Sequence, residues 1–370
     1  MIMARYTPEE AAFLTGMPFS SKSLEELAAM KGMEPGALRV KLDALARKGI
    51  LFRTVGGDTV RYRPNEAAFV FYRAAFWPGG TDETSKALAP LTNRYYLHGF
   101  SDNQAFTSKK ALRVLPIEET VKDPKAIVPY EQAARVLDAV QYFAVSVCPC
   151  RHRKNLDPHA PNCRHSTEVC LHFDKLGRYT VENGMGREIT REQTEEILRQ
   201  CAEEGLVHGI QNWVEGIDTI CNCCKCCCNF FEAYHVLKHA EGMTPSSYWA
   251  RSHPDTCIGC GLCVKRCPMD AITLEDCPEA KDRITTVAAD NQAGKKELKN
   301  KTGRVSKVDQ RLCVGCGVCA YKCPSASLVL ELREGALPPP ANVNDWMRQV
   351  AAELLAARER QGALPSGSAR

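Results

Sequence analysis

One spacing of cysteines occurs twice in the C-terminal third of the chain. Cys257, Cys260, Cys263 and Cys267 follow the pattern C-x2-C-x2-C-x3-C with Pro268 next, and Cys313, Cys316, Cys319 and Cys323 repeat it with Pro324 next. A spacing this specific does not arise twice by chance. Thiolates are strong ligands for metals, so we expect both quartets to hold metal.

The repeated run resembles that of the bacterial ferredoxins with two [4Fe–4S] clusters, over about residues 250–333. In those proteins three cysteines of each run hold one cluster and the fourth reaches the other. The resemblance implies Cys257, Cys260, Cys263 and Cys323 as ligands of the first cluster, and Cys313, Cys316, Cys319 and Cys267 as ligands of the second. Two zinc sites are the alternative, but zinc gives no reason for such sharing.

Glycines lie between the cysteines of both quartets, and a proline follows each quartet, as expected for a loop that wraps around a cubane cluster. Gly259, Gly261, Gly315 and Gly317 can adopt positive φ and let backbone N–H groups approach the sulfurs. The proline after each quartet stops the preceding segment from continuing as a helix.

The rest of the sequence indicates the class of protein and the compartment in which these cysteine sites occur. The chain has 370 residues, 20 cysteines and a net charge of +4. It opens without a basic segment followed by an apolar stretch, so we expect a cytoplasmic protein, in which cysteines serve metals rather than disulfides. No stretch approaches the roughly eighteen apolar residues of a membrane span. The charge is too small to imply nucleic acid by itself.

The cysteine content divides the chain, and we expect an α+β multidomain protein. We predict a winged helix-turn-helix over 1–66, a central cysteine-rich α/β domain over 67–245, a ferredoxin-like two-cluster domain over 246–335 with an insertion at 277–308, and a Pro-rich linker and amphipathic helix over 336–370. Asn344 is expected to cap that last helix, whose apolar residues are Trp346, Val350, Leu354 and Leu355.

The insertion between the quartets is longer than a hairpin connection needs. We expect a surface excursion from Lys281 to Lys307, either a solvated loop without a role or a docking site for an acidic redox partner. Its positive charges are Lys295, Lys296, Lys299, Lys301, Arg304 and Lys307. Cys277 lies outside both quartets and is treated as spare.

Ten central cysteines predict one or two further iron–sulfur centres. They are Cys148, Cys150, Cys163, Cys170, Cys221, Cys223, Cys224, Cys226, Cys227 and Cys228. In an extended segment residues two apart share a face and lie about 6.6 Å apart, which suits adjacent corners of a cubane, whereas neighbours point to opposite faces. We therefore expect Cys221 with Cys223 at one centre and Cys224 with Cys226 at another.

The ligand set of these centres is open. Single-cluster and enlarged-cluster arrangements also fit the ten cysteines, and His152, His165 or His172 could replace a thiolate, as histidines do in Rieske centres. A surface or hydrogen-bonded role is the simpler interpretation of each histidine. Cys201 is set apart, because it falls on the apolar face of a helix with a capping box at Thr190.

The central region also carries a resemblance of its own. The block from Arg113-Val-Leu-Pro through Cys148-Pro-Cys-Arg, Glu168-Val-Cys-Leu and Gly205-Leu-Val-His to Ile220-Cys-Asn-Cys-Cys resembles a little-characterised family of cytoplasmic iron–sulfur proteins of anaerobic bacteria, in which it precedes ferredoxin motifs. The resemblance implies cluster binding by the central cysteines and names no reaction.

The N-terminal region, which has no cysteine, predicts two helices and a hairpin closed by Gly56-Gly57-Asp58. This order resembles the winged helix-turn-helix. Arg39, Lys41, Arg47 and Lys48 could line a recognition helix, and Arg61 and Arg63 the wing. Residues 1–65 carry a balance of only +3 from ten basic and seven acidic residues, so we expect protein docking or dimerisation rather than DNA binding.

Electron transfer is the function that these features favour. A soluble protein with two ferredoxin clusters and further central clusters would relay single electrons to or from a partner redox enzyme. The sequence has no nucleotide fingerprint and no nucleophile–base constellation, so no nucleotide cofactor is expected. Two alternatives are a redox- or oxygen-sensing regulator that uses the winged helix, and an enzyme with an open-site central cluster.

Overall fold

The computed structural model of the chain describes residues 2–65, 70–100, 107–123, 125, 127–160, 162–238, 242–288 and 294–362. Helices and strands are mixed, and the strands form one six-stranded sheet and several smaller ones. This agrees with the α+β composition expected. Among these residues no helix combines the length and the apolar character that crossing a bilayer requires.

The N-terminal part contains the expected helices and hairpin in the expected order. Ser23 and Glu26 form a capping box at the start of one helix, which ends at Gly32 with φ +61°. Gly57, at φ +57°, turns the hairpin. The elements are α1 (Ile2–Arg5), α2 (Pro8–Leu14), β1 (Lys22–Ser23), α3 (Leu24–Lys31), α4 (Pro35–Arg47), β2 (Leu51–Gly56) and β3 (Thr59–Pro64). The three strands form a sheet in the order β1-β3-β2.

This part packs on the central region through buried aromatic side chains. The rings of Phe52 and Tyr179 stack with their centroids 4.4 Å apart. The Tyr179 hydroxyl donates to the Leu51 carbonyl oxygen at 3.0 Å, which satisfies the polar end of a buried tyrosine. The hairpin is thereby fixed to the central region rather than held on a free linker.

A six-stranded sheet organises the central region, in the order β4-β8-β9-β6-β5-β7. Its strands are β4 (Leu112–Leu115), β5 (Phe143–Val147), β6 (Glu168–Phe173), β7 (Arg187–Ile189), β8 (Val207–Gln211) and β9 (Thr219–Cys223). The helices are α5 (Val70–Arg73), α6 (Glu83–Tyr95), α7 (Ala133–Asp138), α8 (Pro149–Leu156), α9 (Asp174–Glu182), α10 (Arg191–Glu204) and α11 (Asn229–His235). The ladders between these strands are antiparallel, unlike the parallel ladders of an α/β domain.

Helix α10 illustrates how local signals fix an element. Thr190 and Gln193 form the predicted capping box, and Gly205 ends the helix at φ +85°. Cys201 on this helix is fully buried, as expected of a small apolar residue.

The C-terminal part consists of three two-stranded sheets and short helices. Its elements are β10 (Tyr248–Ser252), α12 (Leu262–Arg266), β11 (Ile272–Asp276), β12 (Ile284–Ala288), β13 (Lys295–Lys299), β14 (Arg304–Val308), α13 (Val318–Tyr321), β15 (Leu328–Leu332) and α14 (Val343–Gly362). The pairs are β10 with β15, β11 with β14 and β12 with β13. Within the insertion expected over 277–308, β12 pairs with β13 as a mostly exposed hairpin, and the last residues form strand β14, which pairs with β11.

The C-terminal part lies against one edge of the central sheet. Val114 N on the edge strand β4 donates to the Thr244 carbonyl oxygen at 2.9 Å. Just beyond β4, Ile117 N donates to the Cys316 carbonyl oxygen at 3.1 Å. Because Cys316 belongs to the second quartet, the Ile117 bond connects the ferredoxin-like region directly to the segment that follows β4 of the cysteine-rich sheet.

The last helix begins two residues earlier along the chain than its expected cap implied. The Asn342 side chain, not Asn344, accepts hydrogen bonds from the first turn of α14, at 3.0 Å from Asn344 N. Trp346 packs back on the central region, with Nε1 donating to the Lys110 carbonyl oxygen at 3.2 Å. Asn344 lies inside the helix, where a side chain cannot cap.

Candidate metal centres

The first site of the C-terminal part contains the first three cysteines of one quartet and the last cysteine of the other. Burial raises the pKa of the Cys263 thiol to about 11, and the charges of three nearby sulfurs act in the same direction. Those sulfurs belong to Cys323, Cys257 and Cys260. Ser306 N donates to Cys257 Sγ at 3.4 Å.

The second site combines the last cysteine of the first quartet with the first three cysteines of the second quartet. One cavity is lined by Cys267 of the first quartet together with Cys313, Cys316 and Cys319 of the second. Burial raises the pKa of both Cys316 and Cys319. Ala271 N donates to Cys267 Sγ at 3.3 Å, so a backbone donor reaches this site as well. A thiol buried there keeps its proton unless a positive charge, such as that of a bound metal, stabilises the thiolate.

The glycines between the cysteines have the positive φ that the sequence predicts, from +63° at Gly259 to +81° at Gly317. At Gly315 a Cβ atom would lie 2.1 Å from the Tyr248 carbonyl oxygen, and at Gly259 it would lie 2.1 Å from Thr302 Oγ1. Real Cβ contacts are never this short. Together with the N–H···S bonds and the sulfur-lined cavity, these turns fit [4Fe–4S] clusters.

The hairpin β12–β13 is tied to the first site at its base. Asn300, almost fully buried, donates through Nδ2 to the Cys257 carbonyl oxygen at 2.9 Å. Among the described residues, three of the six insertion cations form ion pairs, namely Lys299 with Asp282, Arg304 with Asp276 and Lys307 with Glu275. Cys277 packs against the small core formed by Cys257, Ala280 and Val305 and lies in neither of the two sites described above.

Four central cysteines converge on one point. The Sγ atoms of Cys163, Cys224, Cys226 and Cys227 all lie within 4.8 Å of one another. Cys226 Sγ is 3.5 Å from Cys163 Sγ and from Cys224 Sγ, and 3.6 Å from Cys227 Sγ. The expectation that neighbouring cysteines point apart is wrong for Cys226 and Cys227, because it assumed an extended chain and the chain turns after Cys223.

The other central cysteines surround a separate cavity. It is lined by Cys148, Cys150, Cys170, Cys221, Cys223 and Cys228, and Cys224 also borders it. Cys221 and Cys223 reach it from one face of β9, as the two-residue period of a strand allows. Cys148 precedes α8 and Cys150 lies in its first turn, so strand ends and a helix start deliver the sulfurs together.

Buried arginines supply positive charge beside these sulfurs. Arg73, on α5, lines the cavity and donates to Cys221 Sγ at 3.7 Å. Burial alone would lower the pKa of Arg151, but the charges of Cys148 and Cys224 outweigh it and raise that pKa. A buried cation needs compensating negative charge, which Cys148 and Cys224 would provide as thiolates.

Sequence reasoning missed both arginines. Arg73 lies on a four-residue helix far from every cysteine in sequence, and no local pattern indicates where its side chain goes. Arg151 carried a usable signal, since it directly follows Cys148-Pro-Cys150. A fixed cation next to a cysteine pair is a reason to expect an anionic centre.

The three histidines have other surroundings. His152 Nε2 is 2.8 Å from the Gly80 carbonyl oxygen, and His165 Nδ1 is 3.3 Å from Glu204 Oε2. Burial lowers the pKa of His172 to about 3, and the charge of Arg73 acts in the same direction. The contacts of His152 and His165 favour hydrogen-bonded histidines over ligands.

The basic residues expected on the recognition helix and wing are interleaved with acidic ones. Arg39 lies 3.7 Å from Asp43, Lys48 lies 2.6 Å from Glu10, and Arg61 lies 3.6 Å from Glu26. Lys41 lies over the Phe13 ring, Arg63 over the Phe52 ring, and Arg47 is exposed. The surface is therefore not a continuous basic stripe.

Each of the two sulfur sites combines cysteines of both quartets, and glycine turns lie between the cysteines. Together with the pairing of β10 and β15, these features define an iron–sulfur protein of the two-cluster ferredoxin class. Residues 256–327 match the family described as 4Fe-4S dicluster domain. Ferredoxin-3 of Rhodobacter capsulatus is 30% identical over 78 residues, which are 21% of this chain and 75% of that protein. Through this part the chain belongs to the ferredoxin family.

A second relative matches a shorter segment. Protein Pixie of Drosophila melanogaster is 46% identical over 44 residues, or 12% of this chain. The match spans only 7% of Pixie. The resemblance is thus restricted to one segment of a much longer protein.

Proposed function

We propose that this chain relays single electrons through two [4Fe–4S] clusters in its ferredoxin part and one further iron–sulfur cluster in the central cavity, to or from a partner redox enzyme. Such clusters, when bound, supply one-electron carriers whose potential depends on burial and on hydrogen bonds to the sulfurs. The chain's own residues hold the clusters, exclude water and set the local charge.

One observation carries the proposal: each of the three sites contributes cysteines to the same hydrophobic core. That core contains Cys221, Cys223 and Cys228 of the central cavity and Cys263, Cys267, Cys316 and Cys319 of the ferredoxin part. Phe230 and Phe231 are buried members of the same core. Redox sites that are separated by packed side chains rather than by water form a continuous route for electrons.

The proposal assigns ligands by proximity. The exchanged quartets would hold the two ferredoxin clusters, and four of the six cavity cysteines would hold the third. Arg73 beside Cys221 would stabilise the anionic state of that third cluster. The division near residues 66, 245 and 335 into separate domains is part of the same proposal.

The N-terminal part has the element order of a winged helix, and we include that fold in the proposal as a module for protein docking or dimerisation. The ion pairs of Arg39, Lys48 and Arg61 favour this role over DNA binding, because they neutralise the charges that phosphates would contact.

A partner surface is supported on the hairpin β12–β13. Within the described part of the chain no ion pair engages Lys295, Lys296 or Lys301, whereas their neighbours in the insertion are paired. Exposed cations near a cluster site suit an acidic redox partner, and they would increase the rate of encounter more than the affinity.

A reductive titration of the anaerobically reconstituted full chain tests the relay. We expect about three one-electron equivalents per chain, one for each cluster. Cys221→Ala with Cys148→Ala should lower this to about two, and the buried non-ligand variant Cys201→Ala should not change it. A chain that accepts no electrons, or a central double variant that accepts as many as the unmodified chain, would contradict the proposal.

A further inference from the structure

The compact group formed by Cys163, Cys224, Cys226 and Cys227 has the dimensions of a site for one ion. Four of its six sulfur–sulfur separations run from 3.5 to 3.8 Å, and all six are within 4.8 Å. Four sulfurs placed tetrahedrally about zinc, with bonds of about 2.3 Å, lie about 3.8 Å apart. We propose that these four cysteines bind a single zinc ion as a structural tetrathiolate site.

The cysteines of the ferredoxin part are less compactly arranged than this group. Over the residues that the structure describes, no other set of three or more His, Cys, Asp or Glu donor atoms is as compact as this one. The eight cysteines of the two quartets are therefore spread more widely. A cubane requires that spread, because each thiolate binds a different iron atom. The two kinds of site thus differ in geometry within one molecule.

The group is also closed in the manner of a structural site. Cysteine sulfurs provide all four ligands, which leaves no position for water or substrate. Cys163, Cys224 and Cys227 are buried, and Cys226 is exposed. Zinc has no redox chemistry at such a site, so it would hold the chain together and carry no electron.

The ion would join two segments that lie far apart in sequence. Cys163 lies in the connection between α8 and β6, where its N–H donates to Asn155 Oδ1 at 2.9 Å. The other three cysteines lie on the turn after β9. Arg151 spans the same two segments, because it donates to the carbonyl oxygens of Ser166 and Asn222.

The joined turn connects the central cavity to the ferredoxin part. Cys223, Cys224 and Cys228 on or beside the turn line the cavity, and Lys225 Nζ lies 2.5 Å from Asp270 Oδ1, three residues after Cys267. A turn fixed by the metal would hold the cavity-lining cysteines and the Lys225–Asp270 ion pair in constant positions relative to each other. The zinc site therefore supports the geometry on which electron relay depends, although its identity does not rest on that relay.

X-ray absorption at the zinc edge, on the unmodified full chain produced anaerobically with both iron and zinc in the medium, tests the assignment directly. We expect about one zinc per chain, surrounded by four sulfurs at about 2.3 Å. A chain without zinc, or zinc with nitrogen or oxygen ligands, would overturn it. Iron bound by these four thiolates, as a single ion or in a cluster, would overturn it as well.

Metal analysis of variants locates the ion. Cys226→Ser, chosen because this side chain is exposed, should lower zinc at least five-fold and leave the iron of the ferredoxin clusters unchanged. Cys201→Ser, at a buried cysteine outside the group, should retain both metals. If Cys226→Ser loses about four irons and keeps its zinc, the site is not a zinc site. Iron content reports on the electron-relay proposal and zinc content on this one, so either can fail without the other.

Discussion

Cys267, the last cysteine of the first quartet, lies on the wall of the cavity that Cys313 of the second quartet also lines. The two residues are separated by the whole insertion, and the pairing of β11 with β14 brings their segments together. Each ferredoxin site consequently depends on both ends of the inserted chain. Damage to one quartet should therefore affect the site of the other.

Double variants test this exchange. Cys267→Ala and Cys313→Ala should each remove the same cluster, about four irons, and their combination should remove no more. Cys267→Ala combined with Cys263→Ala should remove both clusters. Iron analysis and EPR of the reduced protein distinguish these patterns, and Cys277→Ala serves as the control at a cysteine outside both sites. Equal iron loss in the two combinations would contradict the exchange.

Gly315→Ala should abolish the second site. Its φ of +70° costs an alanine roughly 1–2 kcal/mol, and the Cβ would also collide with the Tyr248 carbonyl oxygen. Gly335→Ala is the matched control, since Gly335 has φ +72° and a Cβ added there would meet no atom within 4 Å. Iron content should fall by about four atoms in the first variant and stay constant in the second. Equal iron content in both variants would show that the close approach of the Tyr248 carbonyl oxygen to residue 315 is unimportant for the site.

Arg73→Gln should lower the potential of the central cluster. Loss of a buried positive charge beside the Cys221 sulfur destabilises the reduced, more negative state. With an effective dielectric constant near 20 the shift should be on the order of 50–100 mV. Arg73→Lys keeps the charge and should retain most of the potential. Spectroelectrochemical titration measures both, and an unchanged potential in Arg73→Gln would place the third cluster elsewhere.

The structure was predictable from the sequence at positions where only a few residue types fit the backbone conformation or the helix end. The four quartet glycines adopt positive φ because only glycine does so at little cost, and Thr190, Gln193 and Gly205 bound a helix through local hydrogen bonds. These signals act over a few residues and need no tertiary context.

Features set by distant contacts were not predictable in the same way. Arg304–Val308 lies at the end of a lysine-rich insertion, yet it forms a strand because Ile272–Asp276 provides its partner. Cys226 and Cys227 converge because the chain turns, and no strand period describes a turn. The expected cap at Asn344 was wrong because Asn342 is an equally good capping residue two positions earlier.

The N-terminal part should not bind DNA at near-physiological salt. Arg39, Lys48 and Arg61 are paired with carboxylates, so binding would release fewer counterions than a continuous basic stripe would. Gel-shift assays with genomic fragments, run on oxidised and reduced full chain, should show no retained complex. A redox-dependent shift that survives at about 150 mM salt would instead support the regulator alternative.

Iron and sulfide analysis of the anaerobically prepared full chain, combined with EPR after dithionite reduction, tests the central claim most directly. We expect at least about eight irons and eight sulfides per chain, with signals of reduced [4Fe–4S] clusters that interact magnetically. A colourless protein that contains only zinc and gives no signal with dithionite would contradict the account.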